Sequence, residues 1–257
     1  MGSRITRVFR ALRARGRKAF IPYVMAGDPS LERTRQLLGL LQASGADLLE
    51  LGVPFTDPLA DGPVIQAAAQ RALRAGANLT KVLSLLRSMR AELEVPVVLM
   101  TYYNPVFRYG LERFAQDALR AGLDGLIVPD LPMEECGELR RHLRGVDLVL
   151  LAAPTSPPER LRRLARLSQG FLYYVSITGI TGAKLRIEPA ARRGLEFLRK
   201  NSPRPVAVGF GVWSPREASL VASLADGVIV GSAIVRKAHE EGLKGLRPFL
   251  RSLREAI

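Results

Sequence analysis

The sequence predicts an α/β protein, a closed (β/α)8 TIM barrel, and three observations carry the prediction. Apolar, β-prone runs alternate with stretches of helical spacing eight times along the chain. The runs are continuously apolar rather than alternating, as strands covered on both faces of a parallel sheet must be. The length, 257 residues at 47% hydrophobic content, is that of one such barrel. No Ser/Gly-rich linker or change of composition divides it, so residues 1–257 are expected to form a single domain.

The elements follow in order. Ile5, Val8, Phe9 and Leu12 recur at helical spacing, so a docked amphipathic helix precedes the first strand. Strands are expected at 20–25, 47–51, 95–101, 125–128, 147–152, 171–176, 205–209 and 227–230. Helical spacing returns after them, as at 31–41, 64–73 and 161–167. Two helix starts read as capping boxes with proline at the first helical position, Ser156 to Glu159 and Ser214 to Glu217. A short extra helix, 233–239, follows the eighth strand. Asp47, Asp124 and Asp226 each stand just before an apolar strand, and each strand ends five residues later, at Gly52, Pro129 and Gly231. That spacing marks one reused βα unit. A doubly wound open sheet is the competing architecture. Its glycine-rich fingerprint is missing, because the first turn is Ala26-Gly27-Asp28-Pro29.

Net charge is +14, from 38 basic against 24 acidic residues. The arginines are scattered over many helices (Arg10, Arg74, Arg140, Arg193 among them) with no aromatic-interleaved stripe. No nucleic acid is therefore expected as a partner, and a basic nucleic-acid-binding module stands only as the rival reading. No run of about 20 apolar residues occurs, so no membrane span is expected. The basic N-terminus lacks an apolar signal core. One cysteine, Cys136, excludes an internal disulfide and fits a reducing, cytoplasmic setting.

The chemistry concentrates in 50–63, ELGVPFTDPLADGP. Glu50 interrupts an apolar strand, and glutamate is almost never buried without a partner or a task. Asp61 follows in the loop after that strand, where barrels keep their active sites. Two carboxylates there can divide acid and base roles if their surroundings push their pKa values apart. The ordinary alternatives are an internal ion pair for Glu50 and a helix cap for Asp61. His142 and His239 lie in charged helical segments away from strand ends, which disfavours a Ser–His or Cys–His nucleophile. Cys136 reads as a small buried residue. Lys184 is the one candidate Schiff-base lysine. An all-oxygen magnesium site would have to come from Asp28, Glu50, Asp57, Asp61 or Asp130, and no ligand spacing supports one, so no metal is expected. Gly209 and Gly211 close the seventh strand, Gly231 and Ser232 close the eighth, and Thr181 with Gly182 follow the sixth. Glycines and a helix N-terminus at these strand ends favour a phosphate, so the substrate is a small phosphorylated molecule. The segment 176–188 lacks apolar periodicity and is expected to act as a lid.

These motifs resemble one family along nearly the whole chain, the α subunit of tryptophan synthase. They are FIPYV at 20–24, GDP at 27–29, LELGVPF at 49–55, DPLADGP at 57–63, YYNP at 102–105, PDLP at 129–132, TGITG at 178–182, GFG at 209–211 and GS at 231–232. Other phosphate-binding barrels, isomerases or the indole-glycerol-phosphate synthase, share the late glycines but not the stretch 50–63. The resemblance implies retro-aldol cleavage of indole-3-glycerol phosphate to indole and glyceraldehyde 3-phosphate. Glu50 then looks like the group that protonates indole C3 and takes the side-chain hydroxyl proton, and Asp61 like the acceptor of the indole N–H. Tyr23, Met100, Tyr173 and Phe210 are implied around the aromatic end, and Tyr102 among the substrate-binding residues. No cofactor is implied in this chain. Its implied partner is a β subunit carrying pyridoxal phosphate, in an α2β2 heterotetramer, met by Pro54, Asp57, Pro58, Leu59, Asn104, Phe107 and Arg108. Met25 and the basic balance depart from the family pattern.

Overall fold

The computed structural model describes residues 2–175, 188–209 and 211–257. Its parallel strands are β1 (Ala19–Met25), β2 (Leu49–Gly52), β3 (Val97–Met100), β4 (Gly125–Ile127), β5 (Asp147–Val149), β6 (Leu151–Ala152), β7 (Leu172–Val175), β8 (Val206–Gly209) and β9 (Gly227–Val230). They form one sheet in the order β5-β4-β3-β2-β1-β9-β8-β7-β6. The two ends, β5 and β6, are one stretch of chain, which closes the ring. The fifth expected strand is thus present but broken at Leu150. Its N–H is taken by the Ser168 hydroxyl at 3.0 Å, while its carbonyl accepts from Tyr173 N at 3.0 Å. Below that point the chain pairs with β4, and above it with β7.

The strand residues separate by a period of two. Phe20, Val24, Leu49, Leu51, Val97, Leu99, Val206, Val208, Val228 and Val230 face the helices and build the outer core. Ile21, Tyr23, Met25, Leu48, Val98, Met100, Ile127, Phe171, Tyr173, Ala207 and Ile229 fill the barrel. The expected N-terminal helix is α1 (Arg4–Ala14), with Ile5, Phe9 and Leu12 buried and Phe9 set 5.6 Å from Phe171, ring to ring. It plugs the end of the barrel where the strands begin. The second and third units carry two helices each, α3 (Pro63–Arg74) with α4 (Leu79–Met89), and α5 (Tyr103–Tyr109) with α6 (Leu111–Arg120).

The repeated aspartates have a physical role. Asp47, before β2, accepts from Phe20 N at 2.8 Å. Asp124, before β4, accepts from Val97 N at 3.0 Å. Asp226, before β9, accepts from Val206 N at 2.9 Å. Each ties its own strand to the start of the neighbouring one, satisfying an N–H that the sheet edge leaves open. Of the two expected capping boxes, the second holds. Ser214 accepts from Glu217 N at 3.3 Å, and Glu217 reaches back to Trp213 N at 2.7 Å. The first does not. In α8 (Pro158–Leu167) Pro157 occupies the cap position with no side-chain bond, and Ser156 turns away with its N–H on Ala153. No helix among the described residues is long and apolar enough to cross a membrane.

Candidate active site

The pocket opens where the strands end, as barrels require. Tyr23, Glu50, Met100, Tyr173 and Ile229 line it from the strands and Asp61, Ile65, Gly211 to Trp213, Gly231 and Ser232 from the loops and helices above them. Glu50 points inward because it shares its face with Leu48. The register sets it beside Tyr23 of β1 and Val98 of β3. It is only 1% exposed, and among the described residues neither carboxyl oxygen has a hydrogen-bond partner. Among the described residues no cation pairs with it, against the ion-pair alternative. Burial pushes its pKa from 4.5 up to about 8, with the charge of Asp61 as the second cause. A carboxyl so placed holds its proton at neutral pH and is an acid available to a substrate.

Asp61 does not cap a helix. Gly62 takes the cap position of α3, and Pro63 begins the helix with no N–H to satisfy. The carboxylate instead accepts from the Tyr102 hydroxyl at 3.2 Å, and that hydroxyl accepts from Ala60 N at 3.0 Å. Tyr102 is itself packed against Phe55, ring centroids 5.2 Å apart. It thus stands behind Asp61 rather than in the pocket wall. Burial raises the pKa of Asp61 to about 6, against the Tyr102 hydrogen bond that lowers it. The two carboxyls are pushed apart, one protonated and one ionised near neutrality.

Two tyrosines make the aromatic walls, and each needs a glycine on the neighbouring strand. A Cβ at Gly52 would lie 2.1 Å from the Tyr23 hydroxyl, and one at Gly209 would lie 2.1 Å from that of Tyr173. Gly209 accordingly makes room for Tyr173 and is not itself in the pocket wall. Gly211 does line the pocket, in the left-handed region at φ 77°. Gly231 and Ser232 begin α11 (Ser232–Glu240), whose first N–H groups and dipole face the same space. Thr181, Gly182, Lys184 and Phe210 lie outside the described residues, as does most of the expected lid.

Of the remaining expectations, Pro54 is buried, Pro58 is half-buried, and Asp57, Leu59, Asn104, Phe107 and Arg108 are exposed. His142 is half-buried, His239 exposed and Cys136 buried. Asp28 is engaged by Arg71 through two bonds of 2.7 Å, and Asp130 accepts from Tyr103 N at 2.8 Å. Among the described residues no group of three or more His, Cys, Asp or Glu is gathered as metal donors are. Met25 is buried in the inner core, in one cluster with Ile65, Ala69 and Ala72.

Sequence reasoning missed Ile65, Val212, Trp213 and Ile229. Ile229 was legible from alternation, two residues before Gly231. Trp213 carried a weaker signal, being two residues past Gly211. The Arg236 guanidinium stacks 4.6 Å above its ring, which with the Glu217 bond fixes the turn after β8.

Comparison with known proteins gives one answer. The family model for the tryptophan synthase alpha chain matches residues 9–253. The tryptophan synthase alpha chain of Gloeobacter violaceus is 51% identical over 260 residues, covering 98% of this chain and 94% of that one. That of Geobacter sulfurreducens is 48% identical over 264 residues, covering 99% of each. Among solved structures, tryptophan synthase subunit alpha from Legionella pneumophila superposes with a TM-score of 0.91 at 40% identity, covering 100% of this chain and 99% of that one. A chain of Mycobacterium tuberculosis tryptophan synthase gives 0.91 at 39% identity, with the same coverage.

Proposed function

Because this chain belongs to the tryptophan synthase alpha chain family, we propose that Glu50 and Asp61 carry out the retro-aldol reaction of that subunit. The chain is a carbon–carbon lyase of tryptophan biosynthesis that cleaves indole-3-glycerol phosphate to indole and glyceraldehyde 3-phosphate. Indole leaves as a neutral molecule only if C3 is protonated before the bond to the glycerol side chain breaks. Protonated Glu50 gives its proton to C3, and the ring takes up positive charge delocalised onto nitrogen. Ionised Asp61 accepts the N–H and stabilises that charge. Glu50, now a carboxylate, takes the proton of the hydroxyl on the side-chain carbon attached to C3. The C–O bond becomes a carbonyl, and the C–C electron pair returns to the ring. Glu50 ends protonated, so no proton is gained or lost over the cycle.

The observation that supports this most is the buried Glu50 carboxyl at the end of β2, unpaired among the described residues and held near pKa 8, an environment that suits an acid better than a structural group. Tyr23, Met100 and Tyr173 form the walls for the indole, with Tyr102 behind Asp61. Gly211, Gly231 and Ser232 receive the phosphate, joined by Thr181 and Gly182, while Phe210 belongs with the aromatic walls. The whole chain, 1–257, works as one barrel unit without a cofactor of its own, in the cytoplasm, where its single cysteine suits a reducing setting.

An alpha chain implies a β partner. The fuller reading is an α2β2 complex, with pyridoxal phosphate on the β subunit. Four large hydrophobics are exposed among the described residues, and two of them, Leu59 at 93% and Phe107 at 61%, fall in the two expected contact segments. Leu59 is two residues from Asp61, so docking there restrains the loop that carries a reacting carboxylate. Indole release from indole-3-glycerol phosphate, measured with and without a β subunit, tests the reading. Cleavage is expected in both, faster in the complex. Absence of indole even in the complex removes the lyase assignment, whereas equal rates remove only the activation.

A further inference from the structure

The chemistry above leaves the net charge of +14 unused. Six cations, Arg10, Arg13, Arg17, Lys18, Arg199 and Arg204, gather round one cleft at the opposite end of the barrel from the active site. Its volume is about 540 Å³, within the range of small-molecule sites. One wall is α1 and the turn that leads to β1. The other is the last turn of α9 (Pro189–Asn201). The floor is Val206, which opens β8, with Ala225 and Asp226, which precede β9. Everything here lies before the strands, whereas the active-site groups lie at and beyond their far ends.

The charge at this cleft is unbalanced. Among the described residues Asp226 is the one acidic side chain lining it, and its carboxylate accepts from Val206 N at 2.9 Å. Arg10, Arg13, Arg17, Lys18 and Arg199 form no ion pair with any described residue, whereas Arg204 donates to the Ser168 carbonyl at 3.1 Å and acts electrostatically on the Asp147 carboxylate. A cation in a last helical turn answers the helix dipole, which accounts for Arg13 and Arg199 singly. It does not account for four more cations converging on the same concavity, where like charges repel and a low-dielectric wall concentrates their field. Arg10 and Arg13 stand one turn apart on α1, about 5 Å along its axis, and Arg17 with Lys18 continue the line past the helix end. The positive charge is therefore extended along the cleft rather than collected at a point.

We propose that this cleft is a second anion site, taking a linear chain of phosphates, either free or carried by a nucleotide. Guanidinium groups on both walls would grip successive phosphates in bidentate fashion, and the apolar strip of Leu195, Leu198 and Leu224 offers a wall for a nucleoside. Calorimetric titration of the full chain tests it, with inorganic tripolyphosphate in one arm and ATP in the other, in low salt and with saturating glycerol 3-phosphate present to block the active site. The variant Arg13→Ala/Arg199→Ala changes two exposed side chains outside the lyase machinery. Saturable 1:1 binding of tripolyphosphate, weakened by about tenfold or more in the variant while indole release is unchanged, is the expected result. ATP tighter than tripolyphosphate identifies a nucleotide as the source, and equal affinities identify the free chain. Absence of saturable binding, displacement by glycerol 3-phosphate, or equal affinity in wild type and variant overturns the proposal. So does duplex DNA that binds more tightly than either ligand and is indifferent to the variant, since the charge then acts as a diffuse surface.

Discussion

Replacing Glu50 by Gln should abolish catalysis and stabilise the fold, and the second effect has a magnitude set by pH. Folding raises the pKa of Glu50 from 4.5 to about 8. A carboxyl raised in this way makes the folded state progressively less stable as pH climbs through the unfolded value, and the loss is complete only above the folded value. At about pH 7 the unfolded group has ionised across some 2.5 units while the folded group still holds its proton, which at ~1.4 kcal/mol per unit amounts to about 3 kcal/mol. At about pH 5 the same reasoning leaves roughly 1 kcal/mol. Glutamine fills the same space, does not titrate and leaves a buried polar group comparable to the neutral acid, so the burial costs cancel. Titrating groups common to both proteins cancel as well. E50Q should therefore exceed the wild type by about 3 kcal/mol at pH 7 and about 1 at pH 5, a change of roughly 2 kcal/mol, or about 4–8 °C in Tm for a chain of this size. Urea unfolding of both proteins at the two pH values measures the change, and indole release measures activity, which should fall by at least about 100-fold. A stability difference that is the same at both pH values would show that the Glu50 carboxyl is not held protonated by burial. Activity within tenfold of wild type would remove it as the acid.

Three further outcomes follow from the same geometry. The pH profile of kcat/KM should be bell-shaped, falling below about 6 as Asp61 takes a proton and above about 8 as Glu50 loses one, the limbs belonging to the interacting pair; a profile flat from 5 to 9 contradicts both assignments. Tyr102→Phe deletes the hydrogen bond that lowers the Asp61 pKa, so the acid limb should move to higher pH with the basic limb unmoved; an unshifted acid limb would detach Tyr102 from Asp61. Gly209→Ala should push the Tyr173 ring out of place and raise KM, and shortening Tyr173 to Leu in the same chain should add little further loss, because both changes disturb one contact; additive effects would mean that Gly209 acts on the phosphate independently of Tyr173.

Sequence periodicity alone determined the eight-fold alternation, the plugging helix and the strand ends that carry the pocket. Each of these follows from local chemistry, namely which residues are apolar, how they are spaced, and where proline and glycine interrupt them. The aspartate repeat was visible too, but its purpose was not, because each Asp acts on a strand 20 to 27 residues before it, a contact that only closure of the sheet creates. The same holds for the break at Leu150, where one strand must serve two neighbours. Ser156 failed as a cap because Pro157 and Pro158 move the helix start one residue on, so the favoured cap residue sits outside it. The glycine at 209 was assigned to phosphate on position, and only the folded sheet shows that it also leaves room for the ring of Tyr173 on the adjacent strand. Sequence named Glu50 and Asp61; burial by residues distant in the chain separated their pKa values, and the pairing of β1, β2 and β3 supplied that burial. The basic cleft has the same origin. Its cations fall in two short runs, 10–18 and 199–204, far apart in sequence, and they line one cleft only because α1 and the end of α9 face each other under the barrel.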